Sequence, residues 1–212
     1  MNNLRELIRV YFIMGSPNCY KEPKAVLKEA IAGGITLFQF REKGDGALSG
    51  AEKLTLAKEL QVICKENHIP FIVNDDIELA VAIGADGVHI GQEDGPVKTV
   101  RERIGDMTLG VSVHSMEEAI IALQNGADYF GIGPIFPTKT KEDAKPSKGT
   151  SLIETLRKNG YTIPIVGIGG ITSENAASVM EAGADGVSVI TAISHAESPR
   201  EAAKAIRKNV GE

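Results

Sequence analysis

Several short stretches of the chain carry groups suited to holding an anion or a hard cation. Gln39-Phe40-Arg41-Glu42-Lys43 is the first. In an extended chain Gln39, Arg41 and Lys43 share one face, and polar Gln39 ends the run Ile35-Thr36-Leu37-Phe38. Asn74-Asp75-Asp76 and Gly91-Gln92-Glu93-Asp94 follow two further apolar runs. Asp75 and Asp94 could converge on one cation, or these aspartates could cap the helices that follow. Val111-Ser112-Val113-His114 places Ser112 and His114 on one face, without the G-x-S-x-G elbow of a hydrolase. Thr138, Lys139, Thr140 and Lys141 suit an anion clamp, in a long loop expected to close at 137–149. Gly167-Ile168-Gly169-Gly170 offers backbone amides to a phosphate, and Val189-Ile190-Thr191 ends a neighbouring run. The spacing is not G-x-G-x-x-G, which disfavours a dinucleotide. His89 reads as an interior histidine with satisfied nitrogens, and His68 and His195 as solvated residues near helix ends. The residues thus describe two anion sites. One is a glycine nest, and the other combines Arg41, Lys43 and Lys141, with a cation on Asp75 and Asp94 as one option. No nucleophile–base pair accompanies them.

The elements that must position these groups alternate regularly. Apolar, β-branched runs at 10–14, 37–41, 71–74, 87–90, 109–113, 129–133, 163–167 and 186–190 read as strands buried on both faces. Amphipathic stretches at 23–32, 50–67, 77–83, 96–104, 116–124, 152–159, 174–182 and 199–209 read as helices. Ser115 with Glu118 and Ser198 with Glu201 match the capping box, and Pro96 and Pro199 fit first-turn positions. Ala32-Gly33-Gly34, Ile83-Gly84-Ala85-Asp86, Asn125-Gly126-Ala127-Asp128 and Ala182-Gly183-Ala184-Asp185 each close a helix and open an even-numbered strand. That recurrence implies a β-α-β-α unit used four times, hence an α/β fold of the (β/α)₈ TIM-barrel type. A doubly wound open sheet is the weaker alternative because it does not need the fourfold repeat. One barrel domain over 1–212 with a short N-terminal helix is expected, its chemistry on the loops after the strands.

Composition excludes other classes. The chain has 212 residues, 42% of them apolar and 24% charged, which fits a folded domain and not a disordered or fibrous one. Its net charge of −5, without a long basic run, argues against nucleic acid or a membrane surface as partner. No apolar run is long enough to span a bilayer, and the first residues do not read as a signal peptide. Cys19 and Cys64 lack metal-ligand spacing and fit a reducing, cytoplasmic setting. Cys64 sits beside Leu60 and Ile63 as a small packing residue.

Taken together, YFIMGS, QFREK, PFIVNDD, GVHIGQED, LGVSVH, GPIFPTKTK, IPIVGIGGI and GADGVSVI are similar, in order from position 11 to 191, to the thiamine-phosphate synthase family. The resemblance implies a Mg²⁺-dependent reaction joining hydroxymethylpyrimidine diphosphate to a thiazole phosphate, giving thiamine phosphate and pyrophosphate. It assigns Gln39, Phe40, Arg41, Glu42, Lys43, Asn74, Ser112 and Lys141 to the pyrimidine diphosphate. Within that set Arg41, Lys43, Ser112 and Lys141 are the expected catalytic groups. It also assigns Thr138, Lys139, Thr140, Gly170, Ile190 and Thr191 to the thiazole phosphate, and Asp75 and Asp94 to Mg²⁺. Small-molecule substrates are the implied partners, and a homo-oligomer is left open. A related thiazole tautomerase, which uses a histidine at the position of His114, and a non-catalytic thiamine-phosphate-binding regulator are the alternatives.

Overall fold

The apolar runs form parallel strands that hydrogen-bond in sequence order and close into a barrel. These are β1 (Val10–Met14), β2 (Leu37–Phe40), β3 (Phe71–Asn74), β4 (Gly87–Ile90), β5 (Thr108–Val113), β6 (Tyr129–Ile132), β7 (Ile165–Ile168) and β8 (Gly186–Val189). Pairing of Val10 with Val187 and Tyr11 with Ser188 joins β8 back to β1. The computed structural model describes residues 4–138 and 147–211.

Alternation along each strand divides the apolar residues into two cores. Phe12, Phe38, Phe40, Phe71 and Phe130 belong to the larger cluster, which packs under the helices. Tyr11, Ile13, Leu37, Ile72, Tyr129, Val166 and Ile190 form a second cluster inside the barrel. A strand buried on both faces needs apolar residues on both, which is why these runs show no polar alternation.

The helices around the strands are α1 (Leu4–Leu7), α2 (Pro23–Ala32), α3 (Gly50–Glu66), α4 (Ile77–Ile83), α5 (Val97–Ile104), α6 (Met116–Gln124), α7 (Ser151–Lys158), α8 (Ala176–Glu181), α9 (Thr191–Ser194) and α10 (Pro199–Asn209). Cys64 is fully buried on α3, as its neighbours imply. Among the described residues no helix is long and apolar enough to cross a membrane.

The local expectations need small corrections. The seventh strand begins at Ile165, after Pro164, which has no N–H for the ladder. Pro96 is the N-cap of α5 and not a first-turn residue. The helix expected over 174–182 shortens to α8, because the Asn175 side chain accepts from the Thr172 amide and forms a turn first. Helix α9 was not expected, since four residues are too few to show a helical period. Ser115 Oγ accepts from the Glu118 amide as a capping box requires, but the Glu118 carboxylate takes the His114 amide at 2.7 Å. The box therefore closes one residue earlier than the pattern implies.

The fourfold repeat has a clear structural use at the N-terminal end of the barrel. Asp86, Asp128 and Asp185 stand just before β4, β6 and β8. Their carboxylates accept an N–H at the start of the preceding strand, from Phe71, Leu109 and Ile165, at 2.7–2.8 Å. Thr36, before β2, does the same for Val10 through Oγ1 at 2.8 Å. Each bond satisfies a buried donor where the ladder begins. Arg101 and Arg157 strengthen the later repeats by bridging Asp128 and Asp185 to the carbonyls of Gly126 and Gly183. Helix α1 sits at this same end. Leu4 and Ile8 join the barrel-interior cluster, and Arg5 binds the Asp185 carboxylate and the Thr162 carbonyl.

Candidate active site

At the opposite, C-terminal end a cavity opens among the strand ends. Arg41, Lys43, Asn74, Asp75, Asp94 and Ser112 line one side of it. Thr138, Gly169, Gly170, Ile190 and Thr191 line the other. The sequence thus brings together the described members of both anion sites. Lys139, Thr140 and Lys141 lie outside the described residues.

The alternation that builds β2 sorts the QFREK segment. Gln39 points into the barrel beneath the cavity, where Nε2 donates to Tyr11 Oη at 2.6 Å. Phe40 points outward and stacks on Phe71. Arg41, just past the strand, lines the cavity although only 8% of it is exposed. Glu42 accepts from the Ser16 amide, the Ser16 hydroxyl and the Leu48 amide at 2.5–2.8 Å. Its carboxylate is therefore committed to tying the loops after β1 and β2 together. The side chains of Phe40 and Glu42 do not line the cavity, in contrast to those of Arg41 and Lys43.

After β3 a single backbone angle separates two adjacent aspartates. Asp75 has φ = 60°, in the left-handed region, where Asp is one of the few tolerated side chains. Its carboxylate meets Lys43 Nζ at 2.7 Å on the cavity wall. Asp76 turns away, caps α4 by accepting from the Leu79 amide at 2.9 Å, and pairs with Lys53 at 2.7 Å. Burial pushes the Asp76 carboxyl upward, but the bonds from Lys53 and Leu79 outweigh it and hold the group below its ordinary value. The bond to Asp75 holds the Lys43 ammonium above its ordinary value.

Asp94 does not cap α5 either, since Pro96 holds that place. Its Oδ2 accepts from the Gly91 amide at 2.6 Å, which folds the loop back on itself. Burial first, and then the adjacent Asp75 carboxyl, push the Asp94 carboxyl up, with Lys43 and the Gly91 amide opposing. Two carboxylates that disfavour each other's charge make a place for a cation. Among the described residues no group of three or more His, Cys, Asp or Glu side chains forms a complete metal cage. A pair is enough for Mg²⁺, which commonly takes one or two carboxylates and completes its shell with water and substrate phosphate.

Ser112 on β5 points inward, with Oγ 2.9 Å from His89 Nε2. His89 Nδ1 lies 3.0 Å from Tyr129 Oη, so both ring nitrogens are engaged as expected of an interior histidine. His114 also lines the cavity, but its Nδ1 is held 3.0 Å from Glu118.

The far side is built by close backbone packing. Gly169 and Gly170 have φ of 96° and 64°, and a Cβ on Gly170 would stand 2.6 Å from the Pro137 carbonyl oxygen. The loop after β6 is pinned there by Ile135 and Phe136 amides donating to Ile168 and Gly169 carbonyls. A side chain at Gly170 would therefore disturb the loop as well as any phosphate. Tyr11, Tyr129, Gly110 and Gly131 were not singled out from sequence. The signal available was a glycine inside each of two strands, which marks a close approach.

Comparisons with known proteins give the family and the fold. The sequence profile described as thiamine monophosphate synthase matches residues 10–193. A thiamine-phosphate synthase of Bacillus cereus is 61% identical over 207 residues, 98% of this chain and 92% of that protein. One of Bacillus thuringiensis is also 61% identical, over 98% of this chain and 94% of its own length. The solved thiamine phosphate pyrophosphorylase from Pyrococcus furiosus superposes with a TM-score of 0.88 at 36% identity, covering 98% of both chains. A 3-hexulose-6-phosphate synthase, at 16% identity and a TM-score of 0.69, shares the fold alone. With a profile match across the barrel and relatives this similar over nearly their whole length, the chain belongs to the thiamine monophosphate synthase family.

Proposed function

We propose that this protein is a transferase of thiamine biosynthesis that joins hydroxymethylpyrimidine diphosphate to a thiazole phosphate. The observation that carries the reading is one cavity with Arg41, Lys43, Asp75 and Asp94 on one wall and the Gly169-Gly170 turn on the other. Such a cavity supports a reading with a diphosphate on the first wall and a monophosphate on the second. The relatives are thiamine-phosphate synthases, and the two reactants are those the family resemblance implies.

In that reaction the bond between the pyrimidine methylene carbon and the diphosphate oxygen breaks, and its electron pair leaves with pyrophosphate. The thiazole nitrogen then gives its lone pair to the methylene carbon, and no proton is lost. This is why the site needs no nucleophile–base pair. Arg41 and Lys43 offset the charge of the leaving pyrophosphate, and Ser112, with Asn74, orients the pyrimidine diphosphate. Lys141 is assigned to the same group from the sequence. Asp75 and Asp94 would hold Mg²⁺, which supplies further positive charge to the leaving group. Gly170, Ile190 and Thr191, with Thr138, Lys139 and Thr140, would hold the thiazole phosphate and bring its nitrogen into line.

Incubation with both substrates and Mg²⁺ tests the reading. Pyrophosphate and thiamine phosphate should appear together, and only when both substrates are present. Isomerisation of a thiazole phosphate without pyrophosphate release would instead favour the tautomerase reading, which the His114–Glu118 pair keeps in view. Tight binding of thiamine phosphate without turnover would favour a regulator.

A further inference from the structure

A continuous line of polar groups runs from the barrel interior to the cavity. Gln39 Nε2 is 2.6 Å from Tyr11 Oη, and Tyr11 Oη is 2.9 Å from Tyr129 Oη. Tyr129 Oη is 3.0 Å from His89 Nδ1, and His89 Nε2 is 2.9 Å from Ser112 Oγ. Gln39, Tyr11 and Tyr129 are each no more than 1% exposed. Only Ser112, at the end of the line, and His89 beside it line the cavity.

Glycines on two strands make room for the line. A Cβ on Gly110 of β5 would stand 2.3 Å from Tyr129 Oη and 2.4 Å from His89 Nδ1. On Gly131 of β6 it would stand 3.0 Å from His89 Cε1. Two inward positions therefore carry no side chain where the two rings must meet.

The chemistry of the inner end gives the line a direction. The amide nitrogen of Gln39 can only donate, so Tyr11 accepts from it and has one proton of its own to give. That proton goes to Tyr129, which gives its own to His89 Nδ1. Burial raises both tyrosine hydroxyls above their ordinary range, so both keep the proton they must donate. A ring that accepts at Nδ1 carries its proton on Nε2 and donates it to Ser112 Oγ. The Ser112 hydroxyl proton is then left for the cavity. The opposite direction would set the Tyr11 proton against the Gln39 amide protons, two donors face to face in a buried site.

We propose that Gln39, Tyr11, Tyr129 and His89 are positioning residues that form a one-way hydrogen-bond line, fixing His89 as its Nε2–H tautomer and presenting Ser112 to the substrate as a donor, on the reading of this cavity as the diphosphate site. Ser112 then binds an acceptor atom of the pyrimidine diphosphate, and it does so without searching among hydroxyl rotamers.

The tautomer is read directly from the ring-nitrogen NMR shifts of the ligand-free full chain near neutral pH, with His89 assigned by loss of its signals in His89→Gln. A single Nε2–H form is expected. An Nδ1–H form, or a doubly protonated ring, overturns the proposal. The link to substrate is read by a double-variant cycle. Tyr129→Phe should lower kcat/KM for the pyrimidine diphosphate roughly tenfold, the effect of about one hydrogen bond. Placed on Ser112→Ala, the same change should add less than about twofold, because the two act as one unit. Fully additive losses overturn the link. Tyr11→Phe, which leaves the Tyr129–His89 contact in place, should give a mixture of both His89 tautomers. One unchanged tautomer there would show that Gln39 does not set the direction. Because the tautomer is measured without substrate, a wild-type chain that fails to turn over refutes the proposed reaction and leaves this measurement readable.

Discussion

The two ends of the barrel are built from the same strands by opposite rules. At the N-terminal end one device recurs, with Thr36, Asp86, Asp128 and Asp185 each taking an N–H at the start of the strand before. At the C-terminal end the polar groups after successive strands differ. Arg41 follows β2, Asp75 follows β3, Asp94 follows β4, and a glycine turn follows β7. A repeated bond satisfies a need that every unit shares, the unpaired donor where a ladder starts. A set without repetition reflects an asymmetric ligand, since each part of it needs a different partner. Stability and chemistry are thus separated along the barrel axis.

Substitutions at the two ends should break in different ways. The largest effect is expected at Asp75 and Asp94. Asp75→Asn and Asp94→Asn should each reduce turnover roughly a hundredfold or more, because a neutral amide holds Mg²⁺ poorly and each ~1.4 kcal/mol is tenfold. Thermal melting should stay near normal, since neither residue is the N-cap of the helix that follows. Extra Mg²⁺ should restore part of the rate, and normal turnover at limiting Mg²⁺ would dismiss the metal assignment.

Gly170→Ala tests a cavity position where stability and chemistry overlap. Its φ of 64° and the 2.6 Å approach of a Cβ to the Pro137 oxygen predict a loss of about 3 kcal/mol of stability. Binding of thiazole phosphate should weaken as well. Denaturant titration showing unchanged stability would contradict the packing described for this turn.

Asp185→Ala should cost about 2–3 kcal/mol, as it removes a partly buried partner from the Ile165 amide and from Arg5 and Arg157. Activity per folded molecule should change less than about twofold. A specific loss of turnover would erase the division between the two ends.

The smallest effect is expected at Asp76. Asp76→Ala removes the α4 cap and should lower stability by about 1 kcal/mol, with activity kept. Set beside Asp75→Asn, it makes adjacent aspartates fail in different assays. Equal losses of activity would mean that the turn does not separate them.

Much of this design was legible in the residues. The recurring glycine junctions announced a fourfold unit, and each contains a glycine with positive φ, at positions 34, 84, 126 and 183. Strand-end placement brought Arg41, Lys43, Asn74 and Ser112 to one cavity, as their spacing implied. Less could be read where the direction of one side chain depends on its backbone. Nothing in Asn74-Asp75-Asp76 says which aspartate caps, because the answer lies in the left-handed turn at Asp75. Nor does QFREK disclose that Glu42 is taken up by Ser16 and Leu48.

Sequence by itself determined the barrel, since local period, caps and repeats act within a few residues and agree with one another. It also determined which strand ends carry charge. Tertiary structure alone decided the partners across the barrel. Tyr11 and Tyr129 are 118 residues apart and meet only because the sheet closes, with Gly110 leaving the space. Thr36 joined three aspartates as a fourth equivalent only when its hydroxyl was found on the Val10 amide. Hydrogen bonds of this kind are set by position in space, and a linear pattern records only the residues that could make them.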